Sequence, residues 1–87
     1  MIDEIEKLWR DVQVGDVIVR HDGFPPRYLE VMEIKFRDDE LMRVKTGVIT
    51  SRGLKNFDTA TAPLDSRCDI LIGGIEAARK MLMMQEM

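Results

Sequence analysis

The sequence predicts a mainly β domain with a short helix at each end. Three observations carry this expectation. β-Branched and alternating apolar runs fill the middle of the chain, and turn residues break them roughly every 8–12 positions. Residues 74–87 then switch to Ala, Arg, Lys, Leu, Met and Gln, which favour helix. The stretch from Tyr28 to Ile49 organises the rest. It reads as strands Tyr28–Arg37 and Leu41–Ile49, joined by the acidic turn Asp38-Asp39-Glu40.

Taken in order, residues 1–11 read as a short helix. Ile2, Ile5, Leu8 and Trp9 share one stripe of a helical wheel, and Asp3 and Glu6 have capping-box spacing. Residues 12–72 read as the β unit. Val12–Arg20 is its first strand, bent at Val14-Gly15-Asp16 and followed by the turn His21-Asp22-Gly23. Phe24-Pro25-Pro26 makes a stiff extended connection, because Pro25 forces Phe24 out of the helical region. In the hairpin, Ile34 and Phe36 alternate with Lys35 and Arg37, and Met42 and Val44 with Arg43 and Lys45. Val31 and Met32 break the alternation, so a β-bulge is expected there. Leu54–Asp58 reads as a strand, Thr59–Pro63 as a loop of small residues, and Cys68–Ile72 as the last strand. Gly73-Gly74 ends the sheet and residues 74–87 form the second helix. The expected core is Trp9, Val17, Val19, Ile34, Phe36, Met42, Val44 and Ile70, with Phe36→Ala expected to cost about 3–5 kcal/mol.

With 87 residues the chain is a single domain. Apolar residues at 45% and charged ones at 33% place it among soluble globular proteins. The net charge of −3 and pI near 5.1 argue against a dedicated nucleic-acid binder. The charge is uneven, however: residues 17–57 carry eight bases and six acids. A single cysteine, Cys68, excludes an internal disulfide and a cysteine-based zinc site. No apolar run approaches the ~18 residues of a membrane span. The first residues are acidic where a signal peptide is basic, so the expected location is the cytoplasm, with no membrane partner.

The entry Val14-Gly15-Asp16-Val17-Ile18-Val19, with Gly23 beyond it, resembles the opening strand of KOW and Tudor-type barrels. From Val12 to Ile72 the strand pattern is similar to an SH3-like small barrel. The resemblance implies binding to nucleic acid, ribosome, RNA polymerase or another protein. The Phe24-Pro25-Pro26 segment departs from the KOW pattern. Trp9, Phe24, Tyr28, Phe36 and Phe57 are scattered, so no Tudor-like aromatic cage is formed.

No catalytic constellation is present, and no metal or cofactor is expected. His21-Asp22 sits in a turn, and no nucleophile elbow surrounds Ser51 or Ser66. Asp38-Asp39-Glu40 lacks the spacing of a calcium loop. Gly73-Gly74 has no phosphate-loop lysine. Two candidate surfaces remain. The first is a basic hairpin face: Lys35, Arg37, Arg43 and Lys45, extended by Arg52 and Lys55. Like charges opposite each other cost ~0.2–1 kcal/mol per pair, so an anionic surface would relieve them. The second is the methionine-rich end, Met81, Leu82, Met83, Met84 and Met87, since methionine suits adaptable contacts. The expected function is a non-enzymatic protein-interaction module that binds a protein partner or itself as a homo-oligomer. Its small size and acidity suit a phage or mobile-element accessory protein. The alternative is a nucleic-acid- or ribosome-associated barrel using the basic face.

Overall fold

The computed structural model describes residues 4–23 and 25–85. It is mainly β: six antiparallel strands form one open sheet, with a helix after the last strand. The strands are β1 (Glu4–Leu8), β2 (Val17–Arg20), β3 (Arg27–Arg37), β4 (Leu41–Thr50), β5 (Gly53–Pro63) and β6 (Arg67–Leu71). The helix α1 spans Gly74–Gln85. The order across the sheet is β1-β6-β2-β3-β4-β5.

The Val17-Ile18-Val19 run is apolar throughout because β2 is buried on both faces. Ile18 joins Trp9, Val12, Val31, Met42, Val44, Ala62, Leu64 and Ile70 on one face. Val17 and Val19 join Tyr28, Ile49, Leu71 and Ala78 on the other, where α1 covers them. The sheet curls around the first face. Ala60 and Ala62 of β5 and Cys68 of β6 line one hollow, although three strands separate β5 from β6. Trp9 lies at the centre of this concave side, 6% exposed.

The hairpin and its turn form as expected. Asp38 Oδ1 accepts from the backbone N–H of Leu41 (2.7 Å) and Glu40 (2.8 Å). These two bonds, the Leu41 bond first, hold the Asp38 pKa below its ordinary value. This support is present above the ordinary aspartate pKa and is lost as pH falls through the depressed one. The expected bulge is present, between Val31 and Glu33, and a second lies between Ile34 and Phe36. The bend at Gly15 is also present. Its φ is +96°, its N–H donates to Val31 O (2.8 Å), and Asp16 O accepts from Val31 N (2.9 Å).

Three expectations are corrected. The N-terminal helix is instead β1 followed by a 3-10 turn at Trp9–Asp11. Alone, so short a helix is mostly unfolded, whereas β1 pairs with β6 from Glu4↔Leu71 to Leu8↔Arg67. Met1, Ile2 and Asp3 lie outside the described residues, as do Phe24, Glu86 and Met87. The small-residue stretch Thr59–Pro63 is strand, with Thr59↔Lys45, Thr61↔Arg43 and Ala62↔Met42 in register. Phe36 is 50% exposed and not core. The second bulge shifts it opposite Arg43, on the face away from buried Met42. Ile34 is half-buried and packs on the concave cluster.

Tyr28 is fully buried, and its hydroxyl finds no hydrogen-bond partner among the described residues. A buried unpaired polar group costs about 1–3 kcal/mol. Tyr28→Phe removes that cost and keeps the ring. The variant is expected to unfold at equal or higher urea concentration, and a clear loss of stability would show that the hydroxyl is satisfied.

Candidate functional site

The expected basic hairpin face is divided by the bulges. Arg43 stands opposite Phe36, and Lys45 opposite Glu33. Lys35 joins Lys45 beside Phe57, Asp58 and Thr59 around a shallow hollow. Lys45 Nζ lies 5.4 Å from the centroid of the Phe57 ring, and Arg43 Nε donates to Thr61 Oγ1 (3.2 Å). Arg37 pairs with Met42 and so falls on the other face. Arg52 sits in the turn before β5, and Lys55 pairs with Val48 on the concave side. Three of the six cations, Lys35, Arg43 and Lys45, thus share the convex hairpin face. The methionine-rich end also divides. Met81 and Leu82 pack on the cluster around Tyr28, while Met83 and Met84 are exposed. Met87 is outside the described residues.

The structure brings together a different set. β2 and β3 pair with Arg20 directly opposite Arg27, so two guanidinium groups share the concave face. Both line a hollow of about 360 Å³ with Trp9, Ile18, Leu29 and Asn56. Ile18 and Leu29, both of the concave cluster, make its floor apolar on the β2–β3 side, while Thr46, Asn56, Asp58 and Thr59 make the β4–β5 side polar. Arg27 is tied at its outer end to Asp22 (2.9 Å), and both are exposed. Arg20 makes no ion pair among the described residues. Asp58 is the one acid in the lining. A second hollow of about 380 Å³ adjoins it, sharing Trp9, Ile18, Arg20 and Ala60. Together they form a groove along the open side of the curled sheet.

The local sequence explains the placement. Gly23 and the prolines at 25 and 26 turn the chain between β2 and β3, and the pairing Val17↔Glu30 to Arg20↔Arg27 fixes the register. Like charges directly opposite each other are unfavourable, and arginine forks bind carboxylates and phosphates in two-pronged fashion. An apolar floor beside two such forks suits an anionic group carried on an extended chain. Cys68 also lines the groove, with its thiol pKa pushed up to about 11 chiefly by burial. It is held as an unreactive thiol. Sequence spacing gives no sign of this site, because Arg20 and Arg27 meet only through the strand register.

Comparison with known protein families, with characterised proteins and with solved structures gives no match.

Proposed function

We propose that this chain is a non-enzymatic protein-interaction module that holds an acidic, extended segment of a partner protein in its concave groove. The sheet is read as an SH3-like barrel left open along the side where the groove runs. The observation that carries the proposal is the cross-strand pair Arg20–Arg27 above an apolar floor. The arginines would take the partner's carboxylates, and Leu29 and the edge of Trp9 its apolar side chains. Selection from a random-peptide display library tests this. Acidic peptides are expected to be enriched, and Arg20→Glu with Arg27→Glu is expected to weaken them more than about tenfold, or 1.4 kcal/mol. No enrichment for acids, or unchanged binding by the double variant, would overturn the proposal.

A second reading has its own support. Lys35, Arg43 and Lys45 flank Phe36 and Phe57, which are 50% and 55% exposed. Cations beside exposed aromatic rings suit single-stranded nucleic acid, whose bases stack while phosphates are neutralised. Three phosphate contacts would give a slope of log K against log salt of about −2, at ~0.7 per contact. Binding of this kind would be lost in Arg43→Glu with Lys45→Glu and kept in the Arg20/Arg27 reversal. The acidic balance of the chain makes it the weaker reading.

A further inference from the structure

A second cluster of chemically capable side chains lies outside the groove's arginine pair. Glu4 opens β1, Asp69 lies in β6, and His21 follows the last residue of β2. These strands are neighbours in the sheet. One donor atom from each residue lies within 4.8 Å of the other two. Glu4 Oε1 and His21 Nε2 are 2.8 Å apart. Two ligands on one tetrahedral zinc ion, with bonds of about 2.0–2.1 Å, stand about 3.3 Å apart. Small rotamer changes therefore bring all three donors onto one ion. Glu4 and Asp69 are partly buried and fixed on paired strands, which limits the ordering cost of binding.

An independent feature adjoins the cluster. Asp69 stands opposite Val19, and Val19 opposite Tyr28, so Tyr28 is in the same cross-strand row. Its hydroxyl is buried and unpartnered among the described residues. Burial first, and then the charge of Glu4, raise its pKa. Glu4 thus places its carboxylate where it acts on both the imidazole and the phenol.

We propose that Glu4, His21 and Asp69 form a binding site for a divalent transition-metal ion of the zinc class. One imidazole nitrogen and two carboxylate oxygens are a donor set that suits Zn²⁺, and three protein ligands leave a position open. The sequence pattern carries no sign of it, since the ligands are spread over residues 4, 21 and 69. His21 and Asp69 also line the second hollow of the groove, but the metal site does not rest on the peptide reading and is tested separately.

The test is calorimetric titration of the EDTA-treated, dialysed full chain with ZnCl₂. One equivalent is expected to bind. His21→Ala and Asp69→Asn are each expected to weaken binding at least about tenfold, while Glu6→Gln, a neighbouring acid outside the cluster, leaves it unchanged. A thermal melt of each variant checks folding. The second measurement uses no variant. His21 is the only histidine, so its ring resonances are unambiguous, and substoichiometric Co²⁺ is expected to broaden them first. No heat at about 100 µM Zn²⁺, equal loss in Glu6→Gln, or His21 signals unaffected by Co²⁺ would overturn the proposal.

Discussion

Trp9→Ala is expected to unfold a large share of the molecules. The indole is 6% exposed and packs within the concave cluster, which includes Ile18, Val31, Met42 and Ile70. Truncation of a buried tryptophan costs about 3–5 kcal/mol, because the cavity it leaves closes only in part. Small domains have about 5–15 kcal/mol in total. Urea denaturation followed by far-UV circular dichroism should show the midpoint falling sharply. Phe36→Ala is the control. Its ring is half exposed on the opposite face, so the cost should stay within about 0.5–1 kcal/mol. Equal midpoints for the two variants would mean that the core is not centred on Trp9. Loss of Trp9 should also weaken peptide capture, since the indole lines both halves of the groove.

Ala78→Asp should be comparably severe, from the other side of the sheet. Ala78 is fully buried where α1 meets Val17, Val19, Tyr28, Ile49 and Leu71. An uncompensated carboxylate there is expected to cost about 3–5 kcal/mol. Burial raises the folded-state pKa of such an aspartate. The destabilisation is therefore largest above that pKa and shrinks as pH falls through it. Thermal melts at neutral and mildly acid pH would show both effects. Met84→Asp, on the exposed side of the same helix, should leave the melting temperature nearly unchanged. A large drop there would mean that Met84 is buried in an assembly, which would favour the self-associating form of the proposed module.

The central hairpin was legible because its apolar and charged residues alternate and its turn is acidic, and both features follow from one buried face. The β1 strand was not legible. Ile5, Leu8 and Trp9 satisfy a helical period, and an edge strand whose alternate residues are Glu4 and Glu6 buries too little to impose a period of two. The strand at Thr59–Pro63 does alternate threonine with alanine, but alanine is a weak strand former, so its run of small residues has the look of a loop. For the basic face, residue types were legible and their sidedness was not. A bulge adds one residue and moves every later side chain to the other face. That is why Arg37 parts from Arg43. The Arg20–Arg27 pair and the Glu4–His21–Asp69 cluster depend on register between strands, which no spacing rule along one chain supplies.

The place of β6 in the sheet has a consequence for how the chain folds. β2 to β5 run as a meander in which each strand pairs with the next. These contacts are local and close cheaply. β6 arrives after all of them and slots against β2, with Ile70 opposite Ile18. Only then does β1 acquire a partner, Ile5 against the same Ile70. The β1–β6 pairs, from Leu8↔Arg67 to Glu4↔Leu71, are the most distant in sequence in the sheet and are expected to close last. Such non-local pairing slows folding, because loop-closure entropy is lost before the contacts offset it. β1 is an edge strand held by β6 alone and is expected to be the first to detach, so Glu4 of the proposed metal site and the Arg67–Glu6 ion pair (2.7 Å) would come and go with that local opening while the meander stays intact.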